Sequence, residues 1–194
     1  MGLPPLILAS RSPRRKRLLR QIGLKFTVRP SDVREDVLDH EPPERNAKRI
    51  ALTKARQIAK GRKSGIVIGA DTIVVLGKRI LGKPRTQADA RRMLRSLSGR
   101  THTVYTAFAL IDAATQKKTV RIEKTKVWFR TLSRREIAEY VASGSPMDKA
   151  GAYGIQDDYG AVFVERVEGC FYNVVGFPLT KFYKTLQEFL HHRR

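Results

Sequence analysis

Cysteine is almost absent from this chain. A single Cys170 among 194 residues cannot close an internal disulfide, which excludes a disulfide-stapled scaffold and fits a reducing cytoplasm. With four histidines, His40, His102, His191 and His192, it offers no zinc spacing, and His191-His192-Arg193-Arg194 reads as a solvated tail. Long apolar runs are missing too. The longest are strand-sized, so no segment is expected to span a membrane, and residues 1–10 lack the features of a signal peptide. No G-x-S-x-G elbow and no dinucleotide fingerprint occur, which removes two common hydrolase and oxidoreductase designs. Acidic residues are scarce: 18 Asp+Glu stand against 39 Lys+Arg, a net charge of +21. That predicts attraction to polyanions. The basic residues are spread over several helices without an aromatic-rich binding signature, so a solvated basic surface is favoured and nucleic acid is the weaker candidate partner.

What is present suits one folded domain over 1–194. Hydrophobic content is 41%, ordinary for a packed core. Leu6 to Ala9 reads as a strand, followed by Ser12 as N-cap and Pro13 as first residue of a helix that stops at Gly23. Phe26 to Arg29 reads as a second strand, and 30–42 as a polar surface loop. Pro43 opens a helix with Ala47, Ile50, Ala51, Lys54, Ala55 and Ile58 at helical spacing. Lys54 therefore falls on or beside the inward face, which is unusual for a lysine.

Ile66 to Asp71 is an apolar run with no helical period, expected to be a buried strand that continues to Leu76 and turns back at Gly77-Lys78 into Arg79-Ile80-Leu81. A helix is expected over Gln87 to Leu97, two long strands between Thr101 and Thr131, and a helix capped by Ser133 with Glu136 as its capping-box partner. The lone Trp128 is expected to pack on a sheet. Residues 144–160 read as a Gly-rich loop, then short strands to about Val175, then a last helix from Pro178. The mixed order of strands and helices predicts an α/β unit, folded as two lobes around a cleft.

Three features carry chemistry. A carboxylate at the carboxyl end of a buried strand, as expected for Asp71, sits where α/β folds place ligands. The start of a helix at Ser10 to Arg15 offers unpaired N–H groups, and arginines there are unfavourable unless an anion is bound. Glu35 and Asp71 supply two carboxylates for a divalent cation, and Lys54 and Lys83 two cations for phosphates. Gly77 to Lys83 satisfies the opening of a P-loop pattern, yet Pro84 replaces the magnesium-binding hydroxyl and Arg79-Ile80-Leu81 reads as strand, so that reading is rejected.

The residues Leu8-Ala9-Ser10-Arg11-Ser12-Pro13-Arg14-Arg15, Lys54-Ala55, Gly69-Ala70-Asp71-Thr72, Gly82-Lys83-Pro84, Met93 to His102, Tyr140 to Gly144, Asp148 to Gln156 and Asn173 to Leu179, in this order, resemble the Maf family of nucleoside-triphosphate pyrophosphatases. The resemblance implies an inosine-triphosphatase-like mixed sheet with helices, two lobes around a central cleft, and homodimers. It also implies hydrolysis of a nucleoside triphosphate to the monophosphate and pyrophosphate with Mg2+ or Mn2+, and a link to division arrest.

Asp148-Lys149-Ala150-Gly151-Ala152-Tyr153-Gly154-Ile155-Gln156 is similar to the branch acting on dTTP and UTP, with modified pyrimidine nucleotides as further candidates. By position the resemblance makes Asp71 the catalytic acid-base and associates Arg14, Thr72 and Gln156 with substrate choice. It places Glu35, Lys54 and Lys83 at other polar positions of the site. The expected metal ligands are Glu35 and Asp71; Ser10, Arg14, Arg15, Lys54 and Lys83 are expected to hold phosphate. A primary amide at Gln156 matches the adjacent donor and acceptor of uracil or thymine. The chain departs from the family at Arg11, at Thr86 (often acidic, with Asp89 nearby), and at Asp157-Asp158. The alternatives are a basic nucleic-acid-binding regulator of division and a pyrophosphatase preferring 7-methyl-GTP.

Overall fold

The computed structural model describes residues 4–38, 40–156 and 159–191; the departures expected at 157–158 and the tail at 192–194 lie outside them. The structure is mixed α/β, built on a seven-stranded sheet, and the chain divides into two compact units. The first comprises Met1–Asp71, Thr106–Glu123 and Gly176–Arg194, the second Thr72–Tyr105 and Lys124–Val175.

In the first unit, β1 (Leu6–Leu8) is wholly buried and pairs in parallel with β2 (Phe26–Val28) and with β3 (Ile66–Leu76). Helix α1 (Pro13–Gln21) starts as the sequence predicts. The Ser12 side chain accepts from the Arg15 N–H, Pro13 needs no donor of its own, and Gly23 adopts φ +74° beyond the last turn.

Helix α2 (Pro43–Ala59) buries Ala47, Ile50, Ala51, Lys54 and Ala55. It lies directly on β3 because Gly69 has no side chain. A Cβ there would stand 2.2 Å from the Ala51 carbonyl oxygen and 2.8 Å from the Ala55 nitrogen. The contact is filled by Ile7, Ala9, Ala55, Ala59 and Val67 with Ala109 and Ile111. Helix α6 (Leu179–His191) adds Phe182, whose ring packs against Phe108 and Phe177. Full burial of such a ring contributes about 1.5–3 kcal/mol.

β3 runs past Asp71 to Leu76, as the sequence predicts. What ends nearby is the parallel pairing with β1, whose last register partner is Leu8↔Ile68. Asp71 thus lies just beyond the carboxyl end of the parallel ladder, a ligand-bearing position by the same logic.

In the second unit, β4 (Arg79–Leu81) pairs antiparallel with β3, so 77–83 contains a hairpin rather than a phosphate-cradling loop. Helix α3 (Gln87–Leu97) is capped by Thr86, and the Asp89 carboxylate accepts from the Arg85 N–H and from Arg92. Strands β5 (Thr101–Asp112) and β6 (Lys118–Phe129) run through both units, and β7 (Val164–Glu168) lies antiparallel to β6. Trp128 on β6 carries the Arg166 guanidinium 4.6 Å from its ring centre. The capping box predicted at Ser133 and Glu136 opens α4 (Arg134–Ala142). Leu94, Phe129, Tyr140 and Phe163 form part of this unit's core.

Two expectations are corrected. The 144–160 segment contains 3-10 turns at Ser145–Asp148 and Ala150–Ala152, with a third at Tyr159–Phe163. The stretch after β7 is not a strand but the short helix α5 (Phe171–Val175). Its aromatic and β-branched residues favour a strand, but tertiary contacts override that preference. Asn173 is wholly buried, and its Nδ2 donates to the Val104 carbonyl and to Thr125 Oγ1.

Candidate active site

The close approach at Gly69 sets the geometry around Lys54. From the fourth turn of α2 its ammonium reaches Asp71 Oδ1 at 2.8 Å and Glu35 Oε1 at 2.9 Å. The Lys54 and Asp71 side chains are each 7% exposed, whereas Glu35 is 50% exposed. One buried cation therefore gathers a buried and a half-open carboxylate. Burial pushes the Asp71 carboxyl above its ordinary 3.8, against the pull of Lys54 and Arg15. An aspartate with raised proton affinity, hydrogen-bonded in a desolvated setting, is suited to taking a proton.

Arg15 is the second buried cation of this unit. Its Nε donates to the Gly176 carbonyl, and its Nη1 to Ser10 Oγ and the Ala70 carbonyl. The carbonyl of the residue before Asp71 is therefore fixed by Arg15, which acts as a brace for Ser10 and the β3 backbone. Ser10 Oγ also accepts from the Ser12 N–H at 3.2 Å. Arg14 is half-buried in the first turn of α1, and Arg11, exposed, pairs with Asp32. Part of the unfavourable basic charge at this helix start is thus answered by a protein carboxylate.

Glu35 sits on a polar loop, and sequence reasoning missed what holds that loop. Asn46 is fully buried in α2. Its Nδ2 donates to the carbonyls of Leu38 and Glu41, while its Oδ1 accepts from the Leu38 N–H and from Arg49. Arg49 also donates to the Asp36 carbonyl, and Gln57 Oε1 accepts from the Asp32 N–H. The helix that carries Lys54 therefore fastens the loop that carries Glu35. The signal in the sequence was an asparagine at a buried helical position, one turn before Ile50 and two before Lys54.

The remaining sequence-predicted residues belong to the second unit. Thr72 follows Asp71 on β3 and is half-buried; Lys83 is exposed after β4; Gln156 is half-buried after the 3-10 turns. The backbone leading to Gln156 is anchored by Tyr140, whose Oη accepts from the Gly154 N–H, and by a 2.7 Å hydrogen bond between Tyr153 Oη and His102 Nε2. His102 is buried, and burial lowers its pKa from 6.5 to about 4. Its Nδ1 has no partner among the described residues, an unmade bond that costs about 1–3 kcal/mol.

No group of three or more His, Cys, Asp or Glu side chains suited to a metal occurs among the described residues. No helix among them is long and apolar enough to cross a membrane.

Comparison with known proteins gives the family. A protein from Moorella thermoacetica named dTTP/UTP pyrophosphatase is 51% identical over 176 residues, covering 91% of this chain and 90% of that protein. One of the same name from Carboxydothermus hydrogenoformans is 44% identical over 187 residues, covering 94% and 97%. Among solved structures, that of a HAM1 protein from Coxiella burnetii matches with a TM-score of 0.50 at 17% identity, covering 96% of this chain and all of that one. That likeness bears out the expected inosine-triphosphatase-like fold. The Maf-like protein profile matches residues 5–189, and with this profile over almost its whole length the chain belongs to the Maf family.

Proposed function

We propose that this chain is one Maf-like domain that hydrolyses dTTP and UTP to the monophosphate and pyrophosphate. The observation that carries the reading is the buried Asp71 carboxylate, held at 2.8 Å by the Lys54 ammonium with Glu35 on the same nitrogen. Relatives named dTTP/UTP pyrophosphatase at 51% and 44% identity support the substrate class.

In the reaction, a water oxygen attacks the α-phosphorus and the bond to the α–β bridging oxygen breaks. The electron pair departs with pyrophosphate. Asp71 receives the water's proton, the role for which its raised proton affinity suits it. Lys54 opposes negative charge as it grows on the phosphoryl oxygens. The Ser10 hydroxyl, which accepts from Ser12 and Arg15, has its own hydrogen to give to a phosphate oxygen. Arg14 and Lys83 bring further positive charge to the triphosphate. Arg15 acts through Ser10 and the Ala70 carbonyl. Thr72 and Gln156 bear on substrate choice, Gln156 by pairing its amide with the donor and acceptor of the pyrimidine edge.

The donor set fits Mg2+ or Mn2+. Glu35 and Asp71 would hold the ion, with phosphate oxygens and water completing a shell that two carboxylates leave open. When bound, the ion neutralises phosphate charge and favours departure of pyrophosphate. The same reading takes the enzyme to be cytoplasmic and homodimeric, acting on the nucleotide pool.

The test is pyrophosphate release from a panel of nucleoside triphosphates with either metal, for wild type and Asp71→Asn. Release from dTTP and UTP that is lost in Asp71→Asn supports the reading. No release from any nucleotide removes it, and the net charge of +21 then favours the nucleic-acid reading. That alternative predicts salt-sensitive DNA or RNA binding that survives Asp71→Asn.

A further inference from the structure

The turn before Gln156 holds two consecutive residues in the left-handed region. Gly151 has φ +73° and Ala152, which carries a Cβ, has φ +63°. A non-glycine residue held in the left-handed region persists only where its surroundings over-determine it. Gly151 cannot relax by substitution, because a Cβ there would stand 3.0 Å from Val74 Cγ1.

This turn touches two functional segments of the second unit. The Gly151 N–H donates to the Gly82 carbonyl at 3.0 Å, one residue before Lys83. Chain continuity leads from Ala152 through Tyr153 and Gly154 to Gln156. The turn is fastened by two buried hydroxyls: Tyr140 Oη accepts from the Gly154 N–H, and Tyr153 Oη bonds His102 Nε2 at 2.7 Å. His102 stands edge-on to Phe129 and Tyr153, with ring centres 5.0 and 5.3 Å away. Its other ring nitrogen is without a partner among the described residues. An imidazole that leaves one nitrogen unsatisfied is a poor choice for filling space, and a phenyl ring would pack there without that loss. What the imidazole adds is the single bond to Tyr153.

We propose that His102 is a positioning residue for substrate recognition, holding through Tyr153 the strained Gly151–Ala152 turn that presents both Lys83 and Gln156. This rests on the pyrophosphatase reading, in which those two residues bind phosphate and base. The brace's hydrogen bonds do not include Asp71, so loss of the brace falls on binding and selection more than on the chemical step.

The experiment compares His102→Phe, which keeps the ring packing, with His102→Gln, whose amide reaches the Nε2 position, and with Tyr153→Phe, which removes the other end of the bond. Each is followed by steady-state kinetics on UTP, dTTP and GTP and by amide hydrogen exchange. The expected result is a KM for UTP and dTTP raised about tenfold in His102→Phe and Tyr153→Phe, with kcat changed far less and the preference over GTP reduced. His102→Gln restores both. Exchange at Gly151 and Gly154 quickens about tenfold in the two phenylalanine variants, without a matching change in the helices. If His102→Phe does not fold, Tyr153→Phe and His102→Gln decide alone. Wild-type KM, selectivity and exchange in Tyr153→Phe overturn the inference. A wild type that releases no pyrophosphate removes the functional reading instead, and the exchange pattern still judges the brace.

Discussion

Lys54 Nζ lies 2.8 Å from Asp71 Oδ1 with both side chains withdrawn from solvent. Breaking a buried pair from one side strands the other charge. Lys54→Met is therefore expected to cost about 3 kcal/mol in urea unfolding at neutral pH. Asp71→Asn costs less, because Glu35 stays on the Lys54 ammonium. Both lose activity; removal of the general base lowers kcat by roughly 10²–10⁴-fold. Equal stability in the two variants at neutral pH would show that Lys54 is not needed to offset the buried carboxylate.

Burial raises the Asp71 pKa above 3.8, which gives a pH signature. Between the unfolded value and the raised folded one, the native state holds more protons, so its stability falls as pH rises through that window. Wild type is expected to lose stability relative to Asp71→Asn as pH climbs from 3.8 through the folded value, while kcat/KM rises over the same limb as the base ionises. Parallel stability curves for the two proteins would contradict the raised value.

Gly69 is the structural condition for the Lys54 contact. A Cβ there would meet the Ala51 carbonyl oxygen at 2.2 Å, a backbone atom that cannot swing aside. Gly69→Ala is expected to destabilise by about 1–3 kcal/mol or more. The folded fraction should also lose kcat, since α2 must lift from β3 and carry Lys54 with it. Activity that tracks only the folded fraction would mean the helix absorbs the strain elsewhere.

Much of this arrangement was legible in the sequence. The helical period from Pro43 placed Lys54 on the buried face, and the apolar run delivered Asp71 to the same neighbourhood. Ser12, Ser133 and Glu136 announced their caps because capping needs particular side chains at fixed offsets. The rest depends on contacts between residues far apart in the chain. Nothing near Glu35 shows that Asn46, Arg49 and Gln57 pin its loop. Nothing in Phe171-Tyr172-Asn173-Val174-Val175 shows that the segment is a helix whose Asn173 amide bonds Val104 and Thr125. Nothing near Arg15 shows its guanidinium partners, the Gly176 and Ala70 carbonyls, because they lie far off in sequence.

His102 should make the protein acid-labile. Its pKa falls from 6.5 unfolded to about 4 in the buried site, so the unfolded chain takes up this proton first on acidification. The neutral ring's contribution is fully present above 6.5 and is lost as pH drops towards 4, a loss of about 3 kcal/mol when complete. Chemical unfolding at pH 7 and pH 4 measures it: His102→Phe should lose less stability than wild type over that interval. The same loss in both proteins would exclude His102 as the source.

The base preference offers the sharpest substitution in the second unit. Gln156 carries one amide donor and one acceptor on neighbouring atoms, matching the adjacent N–H and carbonyl of a uracil or thymine edge. Glutamate at the same place has acceptors only. It would face the pyrimidine carbonyl with a like-signed oxygen and leave it without a donor in a partly desolvated setting. Gln156→Glu is therefore expected to lower kcat/KM for UTP and dTTP by about 10- to 100-fold, the range of one unmade hydrogen bond. Guanine presents two adjacent N–H donors, so GTP hydrolysis should fall less or rise, and the ratio of UTP to GTP is the quantity to measure. Tyr140 and Tyr153 anchor the backbone ahead of position 156, so the substitution changes the chemistry read there without moving the arm that presents it. An unchanged UTP to GTP ratio would take Gln156 out of base selection and return that role to Arg14 or Thr72.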